Sequence, residues 1–69
     1  MFNVAFDKRT LAVASKAVGA PVKVVQYRRR KNGDVEAILI QENGREARIL
    51  LEKGRKHSRY AALYAALAR

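Results

Sequence analysis

Two runs of cations stand out for chemistry. Arg55 and Lys56, with Arg59, stand at or just before the start of a C-terminal helical segment, and Arg28-Arg29-Arg30-Lys31 closes an earlier β-type run. The free amides and the dipole at a helix N-terminus favour anions and disfavour cations. Cations gathered there therefore point to an external anion that offsets them. Four consecutive cations at a hairpin end also repel one another unless something neutralises them. The same charges have a purely structural use, since they discourage edge-to-edge aggregation.

Nothing else in the chain suggests a reaction centre. His57 is the single histidine and has no paired carboxylate, so it reads as a cap or a surface residue. The six acids show no metal-ligand pattern, and five of them lie on or beside the second and third strands described below. The four glycines are isolated turn or cap signals, not a phosphate-cradling loop. With no cysteine, a disulfide framework and a cysteine-based zinc site are excluded. The expectation is a protein that is not an enzyme and holds no cofactor or metal.

Charge sets the class of partner. Fifteen Lys and Arg against six Asp and Glu give a net charge of +9 on 69 residues, and the pI is about 10.7. Residues 1–27 hold four cations and one acid, residues 28–31 four cations, residues 32–52 two cations against five acids, and residues 53–69 five cations and no acid. Basic clusters thus flank an acidic middle. Clustered cations draw polyanions, and each neutralised phosphate releases condensed counterions. Apolar residues make up 49% of the chain, which fits one small globular domain over 1–69. No apolar run reaches the ~20 residues that span a bilayer. Met1-Phe2-Asn3-Val4 lacks the basic start and apolar core of a signal peptide. A cytoplasmic, reduced, soluble domain without a membrane partner is expected.

The elements follow from local pattern. Asp7 caps a helix over about 8–18, with Leu11, Ala14, Ala17 and Val18 at helical spacing, and Gly19 and Pro21 stop it. Val22 to Tyr27 is β-branched and aromatic and forms a strand. Asn32-Gly33 predicts a type I′ hairpin turn, Val35 to Gln41 a second strand, Asn43-Gly44 another turn, and Ala47 to Glu52 a third strand. Ser58 or His57 caps a last helix from Arg59 to about Ala68, with Leu63, Ala66 and Leu67 on one stripe. Tyr60 and Tyr64 lie beside that stripe; with Tyr27 they either stack on bases or pack. The fold class is α+β, a three-stranded antiparallel sheet with two helices on one face, in the order α-β-β-β-α.

The second sheet face is too apolar for open solvent. Ile38, Ile40 and Leu50 lie opposite the Val35-Ala37-Leu39 and Ala47-Ile49-Leu51 rows. Residues 1–6 either cross that face, as an extra strand, or a homodimer covers it.

This order, ending in Gly54-Arg55-Lys56-His57-Ser58-Arg59-Tyr60-Ala61-Ala62-Leu63-Tyr64-Ala65-Ala66-Leu67, resembles the double-stranded RNA-binding domain. Members of that family end in a segment of the form K-K-x-A-K-x-A-A-A-x-x-A-L. Arg55 and Lys56 match its paired lysines, Arg59 its third, and Ala66-Leu67 its closing pair. The resemblance covers about residues 8–69. It implies duplex RNA as the partner, held by Arg55, Lys56 and Arg59 as a phosphate clamp, with little sequence specificity. The first hairpin loop would supply the second contact; in place of the family's G-P-x-H it carries Arg29-Arg30-Lys31-Asn32-Gly33. A three-stranded sheet with a C-terminal helix also resembles integrase N-terminal and AP2-type DNA-binding domains, which would recruit Arg28, Arg30 and Arg45 to the major groove. In a third reading, a phage- or plasmid-type protein binds or inhibits an acidic protein partner.

Overall fold

Helix formation starts at Asp7. In a computed structural model that describes residues 1–55 and 58–68, the Thr10 amide and hydroxyl donate to Asp7 Oδ2 at 3.0 and 2.9 Å, which caps α1 (Lys8–Val18). Gly19, at φ 72°, ends the helix in the left-handed conformation that a side chain would disfavour. Ser15 Oγ donates to the Leu11 carbonyl at 2.7 Å and accepts from the Val22 amide at 2.9 Å. One hydroxyl thus ties the end of the helix to the start of the next strand.

The sheet contains four strands, not three. β1 (Asn3–Ala5), β2 (Val22–Arg29), β3 (Val35–Gln41) and β4 (Glu46–Leu51) pair antiparallel in sequence order, and α2 (Ala61–Leu67) closes the chain. The N-terminal segment is therefore an extra strand, but it extends the edge of the sheet beside β2 and does not cross the second face. β2 runs two residues past Tyr27, because Arg28 and Arg29 pair with Glu36 and Val35. A register shift between Val22 and Val24 puts both Val22 and Val25 on the core side, which strict alternation would forbid.

Both turns depart from the two-residue type I′ form. Arg30 N–H donates to the Asp34 carbonyl and Gly33 N–H to the Arg30 carbonyl, and Gln41, Gly44 and Arg45 repeat this pattern. Each loop therefore holds three residues with glycine in the last place. Among the described residues only glycines have positive φ, so Asn32 and Asn43 do not supply the left-handed residue a I′ turn needs.

Both helices cover one sheet face. Ala14 of α1 and Leu63 and Leu67 of α2 share a core with Val25, Val35, Ala37, Leu39 and Leu51. α2 starts at Ala61, two residues later than expected, and its N-cap residue, Tyr60, makes no side-chain cap hydrogen bond. Ser58 Oγ accepts from the Tyr60 amide at 3.1 Å, inside the turn that precedes the helix. Neither described helix is long and apolar enough to cross a membrane. Among the described residues no element covers the opposite sheet face. The register places Val4, Val24, Ile38, Ile40 and Leu50 there, among Gln26, Arg28, Glu36, Glu46 and Arg48. Val4 is 53% and Leu50 45% exposed.

Candidate nucleic-acid interface

The tip of the β2–β3 hairpin is fastened to the segment between β4 and α2. Asp34 accepts from Asn32 Nδ2 at 3.2 Å and from the Lys53 backbone amide at 2.9 Å, while its own amide donates to Asn32 Oδ1 at 3.0 Å. Tyr64 donates its hydroxyl proton to the Gly33 carbonyl at 2.8 Å. The Lys53 stem lies over Gly33, where an added Cβ would stand 2.6 Å from Lys53 Cδ. Glycine is favoured there by a φ of 95°, whereas the exposed Lys53 stem could swing away from a Cβ. Lys53 is thereby brought against the tip of the hairpin that carries Lys31.

The four cations of the first run have different fates. Arg28 and Arg30 both reach the Glu36 carboxylate. Arg28 Nε and Nη2 lie 3.0 and 2.5 Å from Oε2, and Arg30 Nε lies 2.8 Å from Oε1, with its Nη2 on the same oxygen. The Arg28 guanidinium also lies 5.3 Å from the centre of the Phe2 ring. Arg29 points to the helix side and donates to the Leu67 carbonyl at 3.1 Å, where a cation suits the negative end of α2. Lys31 stands exposed in the tip.

In the second run, Arg55 Nη1 lies 3.3 Å from Glu52 Oε1, and the Arg59 guanidinium lies 6.0 Å from the Tyr60 ring centre. Both side chains are exposed. Arg59 precedes the helix, and a seven-residue helix that starts at Ala61 offers no anion site of its own. Lys56 and His57 lie outside the described residues. The structure adds Lys53, which no motif singled out. The docked tip leaves it exposed, with no carboxylate partner among the described residues. On α1 the exposed positions Lys8, Arg9 and Lys16 add cations. Tyr64 and Tyr27 pack against the core, so neither is a free stacking platform.

An open groove of about 410 Å³ on the uncovered sheet face is lined by Phe2, Arg28, Arg30, Ile38, Arg48 and Leu50, with Glu36 between the arginines. Among the described residues no three His, Cys, Asp or Glu side chains gather as a metal site. Comparison with protein-family models, with curated proteins and with solved structures finds no match.

Glu36 gives the sheet face a pH signature. Hydrogen bonds from Arg30 first, and then from Arg28, hold its carboxyl below the ordinary value of 4.5, against a smaller opposing effect of burial. Folding lowers this pKa, so the ion pairs stabilise the fold above the unfolded value and stop doing so as pH falls through the folded one. Denaturant midpoints taken from neutral pH into the acid range should fall less steeply for Glu36→Gln than for the wild type. An equally steep acid decline in the variant would remove Glu36 as a cause.

Proposed function

We propose that this protein binds duplex nucleic acid, RNA in the first place, through backbone phosphates and with little sequence specificity. The observation that carries the reading is the docking of the hairpin tip on the β4–α2 segment, which sets exposed Lys53 beside the tip that carries exposed Lys31, with exposed Arg55 and Arg59 following in the same segment. Shape readout of an A-form duplex relies on spaced phosphate contacts of this kind and needs no base-reading side chain. The resemblance to the double-stranded RNA-binding domain supports RNA over DNA, and the helix–sheet arrangement is compatible with it.

A second reading uses the uncovered sheet face in a DNA major groove. Its support is that no described helix covers Arg28 and Arg30 there; Arg45 precedes β4 and does not line the groove, whose third arginine is Arg48. Against it, Glu36 holds two of the three, and Val4, Ile38, Ile40 and Leu50 make the surface apolar.

Titration of labelled duplex RNA, duplex DNA and single strands over a salt series tests both. The expected result is tightest binding to duplex RNA, with affinity falling linearly in log salt. A preference for duplex DNA transfers the proposal to the sheet face. Absence of salt-sensitive binding to any nucleic acid, even in low salt, rejects both readings and leaves an acidic protein partner.

A further inference from the structure

β4 is a bare sheet edge. Gln41 N–H donates to the Arg45 carbonyl, and Leu39 and Ala37 pair with Ala47 and Ile49. In an antiparallel ladder the hydrogen-bonding direction alternates along the strand, so Arg45, Ala47, Ile49 and Leu51 point their backbone groups at β3. Glu46, Arg48 and Leu50 point theirs outward, and among the described residues no backbone or side-chain group meets them. The edge is six residues long and has no proline, while β1 at the other edge has three. Such an edge is a template for another strand.

The charges on this edge choose the strand. Glu46 and Arg48 sit two residues apart on the open face, and among the described residues neither has a charged partner. Two copies of β4 running antiparallel about a two-fold axis at Ala47 would place each Glu46 opposite the other copy's Arg48. An axis at Arg48 sets two arginines against each other, and one at Ile49 sets Glu46 against Glu52. An axis at Leu50 uses Glu52, which is already paired with Arg55 at 3.3 Å. It also falls where Tyr60, Ala61 and Tyr64 of the α2 end approach Leu50, Leu51 and Glu52. Opposite charges facing each other across strands stabilise a pair, and like charges destabilise it.

We propose that the protein forms a homodimer by antiparallel β4–β4 pairing centred on Ala47, joining two four-stranded sheets into one of eight. The surface used is the strand edge, not the apolar sheet face. Sedimentation equilibrium across a concentration series should show the dimer for the wild type. Glu46→Arg and Arg48→Glu each turn two attractive contacts repulsive and should weaken dimerisation about tenfold or more. The double variant Glu46→Arg/Arg48→Glu restores both pairs and should dimerise as the wild type does.

A cross-link fixes the register. Residues facing each other at a non-hydrogen-bonded antiparallel pair have Cα atoms about 4.5 Å apart, within disulfide reach. The chain has no cysteine of its own. Ala47→Cys should therefore oxidise to a covalent dimer. Leu50→Cys should not, because the two copies of residue 50 would lie about 20 Å apart. A monomer at every concentration overturns the proposal. So does a dimer that survives both single reversals, which would be using the open sheet face. Cross-linking at Leu50 but not at Ala47, or failure of the double reversal to restore the dimer, also overturns it.

Discussion

Changing Lys31, Lys53 and Arg59 together to glutamate should lower duplex affinity by about a thousandfold at roughly 0.1 M salt, while the thermal transition stays in place. These three are exposed, and among the described residues none is held by a carboxylate. Each phosphate contact contributes about 0.9 to the slope of log affinity against log salt, so loss of three should flatten that slope by about 2.7. At the stated salt this is close to tenfold per contact before the repulsion of the new acids is added. Arg55→Glu alone should cost less than any of the three, since Glu52 already neutralises part of its charge. The site is wrong if the triple variant binds with wild-type affinity and slope. Because the substitutions leave the Asp34 and Tyr64 hydrogen bonds intact, a change in unfolding would point to a structural effect instead.

Replacing Leu39 with alanine should cost about 3–4 kcal/mol, the usual range for a leucine deleted from a core that collapses only partly. Leu39 has no exposed surface and stands mid-strand between Val25 and Ala47, under both helices. A domain of 69 residues has a total stability of only about 3–10 kcal/mol, so the variant should be marginally folded. Ile38→Ala, one residue away on the open face, should cost less than about 1.5 kcal/mol because its side chain is only half-buried. Urea unfolding of the two variants side by side measures the contrast. Equal losses at 38 and 39 would mean that the open face is packed as tightly as the core.

What the sequence revealed of this fold follows the range of the forces involved. The Asp7 cap, the stop at Gly19 and the Val35-Ala37-Leu39 row are local signals, and each appears where its residues predict. β1 was less legible: three residues carry no periodicity, and the partner strand follows only after the whole of α1. Turn type depended on the backbone of Asn32 and Asn43, which the dipeptide Asn-Gly does not fix on its own. The basic run Arg28 to Lys31 read as one loop, whereas strand alternation sends its members to opposite faces and Glu36 takes two of them. Lys53 stayed hidden for a similar reason. Its meeting with the hairpin tip spans 19 residues through Asp34, and no motif encodes a contact at that distance.

The fastening of the hairpin tip also bears on how fast and how cheaply a ligand could be held. An unattached loop of three residues would sample many conformers, and a partner would have to freeze it at about 1–2 kcal/mol per residue. Here Asp34, Gly33 and Tyr64 impose that order during folding, when the core supplies the free energy. Under the proposed reading, a ligand at this end would meet a backbone already ordered before contact. A partner of different phosphate geometry would be rejected by misfit and not accommodated by rearrangement.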